Sequence, residues 1–293
     1  MGPAPWAWRD GRRSWQAGRV APLDAPYALD PDTIRAFRRD GHVRVDGLAS
    51  PAEVAAFRLA ILETGPRCRY DQRPLAERDT YGRAFIQMFN LWTKDERVRA
   101  FVCARRFARV AAELMGASGV RLYHDQALFK EPGGGMTPWH QDQFYWPLDT
   151  EHTVTLWLPL VAVTPAMGPM TFASGSHRLG KLSELPISDE SEAEYERAVV
   201  HHALRCTAPE SFAPGDATFH AGWTLHRAPP NDTAVMREVM TVIYFADGAR
   251  VGPLDHPSRR FDRDAWLPGC EPGALAASPK NPLLWNSRVE SAI

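Results

Sequence analysis

The sequence lacks the features that usually mark proteins that act on nucleic acids or in membranes. Its 34 basic and 35 acidic side chains leave a net charge of −1, and no block of like charge exceeds a few residues. A nucleic-acid partner is therefore not expected, since such proteins carry a basic patch or stripe. No stretch approaches the roughly 18 uninterrupted apolar residues that a membrane-spanning helix needs, so no membrane partner is expected either.

Cysteine is also scarce. The chain has four cysteines, none of which forms a Cys-x-x-Cys pair: Cys68, Cys103, Cys206 and Cys270. A zinc knuckle or a dithiol redox site therefore has no support in the sequence. The first residues lack the basic and apolar segments of a secretory signal. We therefore expect a cytoplasmic protein with reduced thiols.

The 293 residues fit one large domain or two small ones. Residues 1–28 are rich in Pro, Gly, Trp and Arg without a sustained period, which predicts an N-terminal arm that lies over the surface or is partly disordered. A single domain is predicted for residues 29–250. Residues 251–293 contain six prolines, and we expect an irregular C-terminal tail packed on the body.

The first part of the chain carries helix signals. Asp30 can cap a helix that has Pro31 at its first position. Ser50 is followed three residues later by Glu53, which is the pattern of a capping box. Residues 95–115 repeat apolar side chains at helical spacing. This part is therefore expected to form helices that pack on the outside of the core.

The later part of the chain changes to alternating and β-branched patterns, with Pro and Gly between them. The predicted strands are 120–130, 153–161, 199–207, 217–220 and 239–245. An acidic segment, 181–197, is expected to form an exposed loop or a short helix. Helices followed by strands predict a mostly β protein with flanking helices, of the α+β class.

His140 and Asp142 begin the candidate site. Two residues apart on a strand, their side chains share one face and can reach the same ion. A His-x-Asp pair alone is common, and a polar surface turn explains it as well, but His226 supplies a second imidazole downstream. Two imidazoles and one carboxylate are the facial triad that binds Fe(II) and leaves other positions open. Arg237, eleven residues after His226, is suited to bind a carboxylate with two parallel donors.

Other histidines compete for these roles. His177 and His220 are alternative candidates for the third ligand, although a structural hydrogen bond would explain each. His124 and His152 are expected to be structural or to support the ligands. The adjacent His201–His202 pair would point to opposite faces of a strand and is not expected to chelate a metal.

Five groups of residues follow one another in a specific order. They are Leu-Tyr-His-Asp-Gln-Ala-Leu-Phe-Lys at 122–130, Trp-His-Gln-Asp at 139–142, Trp-Leu-Pro-Leu at 157–160, Gly-Ser-His-Arg at 175–178, and His226 with Asn231 and Arg237. Together they resemble the phytanoyl-CoA dioxygenase family of Fe(II)- and 2-oxoglutarate-dependent oxygenases, over roughly residues 35–247. The resemblance implies a double-stranded β-helix, that is, a cupin-like jelly-roll core, with helices packed on one sheet.

The resemblance also implies roles for individual residues. It makes His140, Asp142 and His226 the ligands of a catalytic iron, and Arg237 the partner of the distal carboxylate of 2-oxoglutarate. The further residues expected to face this co-substrate are Trp157, Gln126 and Lys130. The implied reaction uses O2 to hydroxylate, or otherwise oxidise, an unactivated C–H bond of a small organic metabolite, with succinate and CO2 as co-products.

The sequence departs from the family pattern at two places. Where the family often has Ser or Thr to help the arginine, this chain has Ala228, so Thr155 or Tyr244 is expected to supply the hydroxyl group. Ala-Met-Gly at 166–168 replaces the usual Glu-Asn-Gly turn, which is expected to change a loop rather than the chemistry. The carboxylate of Asp142 is retained, and this favours hydroxylation over halogenation.

Four aromatic residues near these motifs are candidates for the substrate pocket: Phe144, Tyr145, Trp146 and Trp223. The first three directly follow the His-x-Asp pair, and the fourth precedes His226 by three residues. Core packing explains them equally well. An aromatic pocket would suit an apolar or ring-containing substrate.

Two other functions remain open. A cupin-like metal dioxygenase or isomerase on the same barrel would need no 2-oxoglutarate, and Arg237 argues against it. A non-catalytic binding relative would be expected to have lost a ligand, and none is lost here. The sequence predicts neither the substrate nor the oligomeric state.

Overall fold

Residues 23–290 of the computed structural model are described, without the side chains of residues 289 and 290. Most of the expected N-terminal arm, residues 1–22, lies outside the described residues. The helices are α1 (Pro31–Asp40), α2 (Pro51–Thr64), α3 (Glu96–Val102), α4 (Arg105–Met115), α5 (Asp189–His201), α6 (Pro257–Trp266) and α7 (Ser287–Glu290). The strands are β1 (His42–Val45), β2 (Ile86–Phe89), β3 (Gly119–Phe129), β4 (Thr137–His140), β5 (Thr153–Pro159), β6 (Thr171–Ser174), β7 (Arg205–Thr207), β8 (Ala217–Ala221), β9 (His226–Ala228), β10 (Val239–Ala246) and β11 (Leu283–Asn286).

The first two helices begin at the caps that the sequence predicts. The Asp30 side chain accepts a hydrogen bond from a backbone N–H of the first turn of α1, at 2.8 Å. Ser50 and Glu53 exchange the two hydrogen bonds of a capping box at the start of α2. The helix predicted over 95–115 is two helices, because Ala104 takes an extended conformation between α3 and α4.

The strands form two antiparallel sheets. The larger sheet has the order β1-β8-β5-β10-β3-β11, with β2 also paired to β3, and the smaller sheet has the order β4-β9-β6-β7. Neighbouring strands are mostly far apart in the sequence, as expected of a jelly roll rather than a simple meander. The predicted fold class, a jelly-roll core with flanking helices, is therefore confirmed.

The two faces of the larger sheet have different surroundings. Leu156 and Tyr244 face the main hydrophobic core, which also holds buried side chains of α1 to α4. Thr155, Trp157 and Thr241 point from the same strands into a cavity. This alternation is the period of two that strands impose on side chains. The helices thus cover one face of the larger sheet and leave the other face for a site.

Part of the strand predicted over 199–207 is helical. Ser188 caps α5 and shares a reciprocal hydrogen-bond pair with Ser191, and the helix continues to His201. Only the last three residues of the prediction form a strand, β7, at the edge of the smaller sheet. A strong cap at Ser188 therefore outweighs the strand preference of the valines at 199 and 200.

The C-terminal segment is more regular than the sequence suggests. Helix α6 starts with Pro257 at its first position, and β11 joins the larger sheet beside β3. Trp266 and Leu267 are buried in a cluster that contains Tyr123 and Phe245 of the sheet. The expectation of an irregular tail is corrected to a helix and a strand that pack on the body.

Within residues 23–290, no helix has both the length and the apolar character needed to cross a membrane.

Candidate metal centre

His140, Asp142 and His226 come together at one end of the smaller sheet. His140 ends β4 and lies directly opposite His226, the first residue of β9, with 4.0 Å between the ring centroids. The Asp142 Oδ1 atom lies 3.6 Å from Nε2 of His140 and 3.7 Å from Nε2 of His226. One ligand atom from each of the three residues lies within 4.8 Å of the others. This spacing suits a single metal ion.

Backbone carbonyls fix the direction of both imidazoles. Nδ1 of His140 donates to the carbonyl of Pro138 at 2.8 Å, and Nδ1 of His226 donates to that of Thr224 at 2.9 Å. Each ring therefore directs its Nε2 atom towards Asp142. Such hydrogen bonds to the remote nitrogen are a common support of metal-binding histidines.

His220 holds the carboxylate rather than completing the triad. Its Nε2 donates to Oδ2 of Asp142 at 3.2 Å, and the hydroxyl group of Thr155 donates to the same oxygen at 3.0 Å. Oδ2 is thus occupied by two donors, and Oδ1 is the oxygen that faces both His140 and His226. The alternative ligand role of His220 is therefore replaced by a supporting one.

The other candidate histidines lie away from the triad. Nε2 of His177 is bonded to the carbonyl of Arg38, and Nδ1 of His152 to that of Met115. The His201–His202 pair is exposed at the end of α5. His124 does line the cavity, and burial lowers its pKa to about 4, so it is neutral near pH 7.

The protonation states suit a divalent cation. Burial lowers the pKa of both His140 and His226, which leaves their imidazoles neutral and able to coordinate. Burial alone would raise the pKa of Asp142, but the surrounding imidazoles, including the hydrogen bond from His220, keep it below its usual range. Two neutral nitrogens and one anionic oxygen are the donors that Fe(II) takes in facial-triad sites.

Arg237 is a buried cation in the same cavity. Its side chain is 2% exposed, and its guanidinium donates one hydrogen bond to the carbonyl of Gly168. Its Nε has no partner among the described residues, and none of their carboxylates lies within ion-pair distance of it. Burial lowers the pKa of Arg237 to about 9. A buried cation without an anion is costly, so this position is suited to an anionic ligand.

Gly168 is required for this contact. It has a φ of +69°, and a Cβ atom there would collide with the carbonyl of Pro229. Although residues 166–168 depart from the family turn, they keep Gly168, whose backbone conformation brings its carbonyl group to Arg237.

The hydroxyl group beside Ala228 is that of Thr137, not of Thr155 or Tyr244, from which it was expected. It pairs directly opposite Ala228 across β4 and β9, and its buried hydroxyl has no partner among the described residues. Both Thr137 and Ala228 line the cavity that contains Arg237. Thr155 is bonded to Asp142, and Tyr244 faces the helices on the far side of the sheet. Thr137, the cross-strand neighbour of Ala228, is therefore the candidate for the hydroxyl group that the family pattern places near the arginine.

The three further residues expected near the co-substrate have different positions. Trp157 lines the cavity, and its ring centroid is 5.7 Å from the guanidinium carbon of Arg237. Gln126 also lines the cavity and accepts a hydrogen bond from Gln87 at 2.8 Å. Lys130 is fully buried behind the wall, where its ammonium group donates to the carbonyl of Gly135. Lys130 is therefore placed to support the strand rather than to touch a ligand.

Two of the four aromatic residues predicted for the substrate pocket line the cavity: Tyr145 and Trp146. Phe144 packs instead between Tyr145 and His256, with centroid distances of 5.0 and 4.9 Å. Trp223 is half-buried, and its carbonyl accepts a hydrogen bond from Gln141. A tight helical turn at Asp142–Phe144 causes this split, since it directs consecutive side chains to different sides.

Other residues that line the cavity lie outside the sequence motifs and were not predicted from them. They come from β2, from the loop before it and from α6, and include Tyr81, Gln87, Phe89, Phe261, Asp262 and Trp266. The sequence around Pro257 does match a helix start, which would have predicted α6. The position of α6 over the cavity depends on contacts with residues more than a hundred positions earlier, such as the 2.9 Å hydrogen bond from Tyr123 to Asp262.

Comparisons with known proteins show the family and the fold of this chain. The sequence profile of the family described as phytanoyl-CoA dioxygenase (PhyH) matches residues 37–239, more than half of the chain. The chain belongs to the PhyH family. This PhyH-family chain is similar to methylphosphonate hydroxylase of Gimesia maris, with 28% identity over 149 residues that cover 51% of it and 54% of that protein. It is also similar to ectoine dioxygenase of Streptomyces anulatus, with 23% identity over 260 residues that cover 80% and 85%.

The chain spans about half the length of several curated relatives that it matches. Among solved structures, the PhyH-family chain is similar to the epimerase SnoN from nogalamycin biosynthesis, in complex with Fe3+, alpha ketoglutarate and nogalamycin RO. The identity is 26%, the TM-score is 0.72, and the match covers 87% of this chain and 98% of that one.

Proposed function

We propose that the protein is an Fe(II)- and 2-oxoglutarate-dependent dioxygenase that hydroxylates, or otherwise oxidises, an unactivated C–H bond of a small organic metabolite. Succinate and CO2 would be the co-products. The observation that carries the proposal is that one cavity holds both the His-Asp-His cluster and a buried guanidinium without an anionic partner. Membership of the PhyH family supports the same assignment.

The residues present fit both groups. His140, Asp142 and His226 would hold the iron, which supplies the O2 chemistry that protein side chains lack. His220 and Thr155 keep the carboxylate of Asp142 in one orientation by their hydrogen bonds to Oδ2.

The co-substrate has a matching place beside the metal ligands. The free Nε of Arg237 and the free hydroxyl of Thr137 would receive the distal carboxylate of 2-oxoglutarate. Trp157 and Met170 form apolar walls near this end of the cavity, and they would exclude water from the bound co-substrate. Exclusion of water strengthens the ion pair at Arg237 because the local dielectric falls.

The two alternatives explain less of the cavity. A cupin-like enzyme that does not use 2-oxoglutarate would have no use for a buried arginine that lacks an anion. A non-catalytic relative would not need His220 and Thr155 to fix the carboxylate of Asp142 through its Oδ2 atom. The proposal therefore keeps the oxygenase as the main function.

The proposal also includes the setting of the enzyme. A small-molecule substrate and a cytoplasmic location are proposed, and the four unpaired cysteines support the latter. Residues 29–250 are proposed to be one catalytic domain, which the C-terminal helix α6 extends.

An anaerobic titration tests the proposal. Fe(II) and then 2-oxoglutarate are added to the metal-free protein, and the weak visible charge-transfer band of a chelated 2-oxo acid is recorded. We expect the band in the wild-type protein, its loss in His226→Ala and a weaker band in Arg237→Ala. His202→Ala, which removes an exposed imidazole, is the matched control and should leave the band unchanged. Iron binding without the band would contradict the role of 2-oxoglutarate and would favour the cupin-like alternative.

A further inference from the structure

The cavity has a second region beyond the triad, which we name the outer chamber. It is lined mainly by Tyr81, Phe89, Tyr145, Trp146, Asp262 and Trp266. The whole cavity measures about 500 Å³, which is within the usual range for small-molecule sites. Its edge includes two exposed aromatic rings, those of Tyr70 and Phe261. Rings on the walls and at the rim favour an apolar or ring-bearing ligand.

We propose that the outer chamber binds a ring-bearing substrate through a basic nitrogen, which forms an ion pair with Asp262 between aromatic side chains. This inference rests on the proposed oxygenase function, because the outer chamber is the part of the cavity left beside the metal centre and Arg237. It names the substrate class that the reaction would use.

Asp262 is the central observation. Its side chain lines the cavity although the residue is only 8% exposed, and its Oδ2 accepts a hydrogen bond from the hydroxyl of Tyr123 at 2.9 Å. Among the described residues, no cation lies within ion-pair distance of it. Its donors, the Tyr123 hydroxyl and the Trp266 side chain, are both neutral, so the buried carboxyl group has no counter-charge when it is ionised. Burial accordingly raises the pKa of Asp262 to about 7, and the nearby charge of Asp142 adds to the rise.

The cations on α6 and beside it have other partners: Arg260 donates to the carbonyl of Leu254, and Arg263 pairs with Asp264 and Glu271. Arg259 donates to the carbonyl of Phe144 and lies 3.4 Å from Asp255. Lys280 donates to the carbonyl of Ala265 at 2.7 Å and lies over the ring of Trp266, 5.9 Å from its centroid, without reaching ion-pair distance of Asp262. A counter-charge for the ionised form of Asp262 would therefore come from a ligand.

Aromatic faces surround the same position. Trp266 lies 4.7 Å from His124 and 5.2 Å from Phe89, measured between ring centroids, and Tyr123 lies 5.6 Å from Trp146. A β-bulge in β3 at Tyr123 allows both Tyr123 and His124 to point to this side of the sheet. Aromatic faces attract a cation, and the attraction is stronger where the contact is desolvated. A carboxylate within such rings is the chemistry that recognises an ammonium group.

The charges along the cavity argue against an anionic substrate. Its two arginines, Arg227 and Arg237, lie at the metal end, and Arg227 is already paired with Glu192 and Glu196. The outer chamber offers no arginine or lysine within the described part of the chain. An anion such as the methylphosphonate named for one relative would therefore meet no counter-charge beside Asp262. We infer a substrate chemistry different from that of this relative.

Three indole probes of matched shape test the proposal in the metal-free full-length protein. They are tryptamine, with an ammonium group, 3-propylindole, which is its neutral counterpart, and indole-3-propionate, which is an anion. Affinity is measured by titration calorimetry or ligand-observed NMR. We expect tryptamine to bind at least about tenfold more tightly than 3-propylindole, a difference of about 1.4 kcal/mol, and indole-3-propionate to bind most weakly. Equal affinities, or a preference for the neutral or anionic probe, would overturn the proposal without any variant.

The variant Asp262→Asn separates charge from shape. Asparagine keeps an acceptor for Tyr123, so we expect a folded protein that binds 3-propylindole as before and has lost the preference for tryptamine. Asp264→Asn, on the exposed side of the same helix, is the control and should keep the preference. An unchanged preference in Asp262→Asn would assign the cation site to other residues. Because these titrations need neither iron nor 2-oxoglutarate, their outcome is independent of the charge-transfer experiment.

Discussion

The two ends of the cavity are built in different ways. At the metal end, strands β4 and β9 and the turn after β4 hold His140, Asp142 and His226, and backbone carbonyls and neighbouring side chains fix each group. At the outer chamber, α6, β2, the loop before β2 and the segment after β4 supply mostly aromatic side chains around the carboxyl group of Asp262. The metal end is thus specified by hydrogen bonds within the jelly roll, and the outer chamber by segments packed onto it. In such a design the chemistry can stay constant while the substrate changes.

The largest expected effects fall on the metal end. His140→Ala or Asp142→Ala should lower 2-oxoglutarate-dependent succinate formation by more than about 100-fold, because each removes a ligand. His220→Ala removes only the hydrogen bond to Oδ2 of Asp142, so it should weaken Fe(II) affinity by about 10- to 100-fold. Anaerobic Fe(II) titration and succinate assays measure both effects.

A comparison of His220→Ala with His226→Ala decides the role of His220. If His220→Ala lost iron as completely as His226→Ala, His220 would be a ligand, and the supporting role assigned to it would be wrong. Thr155→Val, which removes the other donor to the same oxygen, should resemble the milder variant. All of these variants should leave the binding of tryptamine to the outer chamber nearly unchanged.

The next effect concerns the buried charge of the outer chamber. The pKa of Asp262, raised to about 7 by burial, means that the folded protein favours the neutral carboxyl group. Stability should therefore be greatest below pH 4 for this group and decline as the pH rises from about 4 to 7, at up to about 1.4 kcal/mol per pH unit. The charged and titratable groups around it are Tyr81, Tyr123, His124, Tyr145, Asp142 and Arg259.

Urea unfolding of the metal-free protein measures this effect as a difference. The free energy of unfolding of wild type minus that of Asp262→Asn should fall between pH 5 and pH 8, because only the wild type must bury the ionised group. Contributions of His124 and the metal ligands are common to both proteins. A difference that stays flat across this range would show that Asp262 is ionised at little cost, and the need for a ligand counter-charge would lose its physical basis.

The contrast between the two ends also explains what the sequence could predict. The mostly β class follows from the alternating strands, the jelly roll follows from the family resemblance, and the triad follows from a short motif and one distant histidine. Thr137 could not be assigned in advance, because its role depends on its register opposite Ala228. Asp262 lies in a proline-rich segment, and its position in the cavity becomes evident only from its hydrogen bond with Tyr123. Contacts between distant segments leave no local sequence pattern, so most of the outer chamber could not be predicted from the sequence.

The smallest expected effect tests the register at the metal end. Thr137→Val keeps the shape of the side chain and removes its hydroxyl group, so 2-oxoglutarate should bind about 5- to 10-fold more weakly, as expected for one lost hydrogen bond of about 1 kcal/mol. Because Thr137 and Ala228 lie directly opposite each other on β4 and β9, their Cβ atoms are close neighbours. Adding Ala228→Ser should therefore return a hydroxyl group to the same region and restore most of the affinity. Titration of the charge-transfer band reports both constants. Full affinity in Thr137→Val would mean that Arg237 holds the carboxylate without a hydroxyl partner, and loss without rescue would mean that a hydroxyl group at position 228 does not reach the same place.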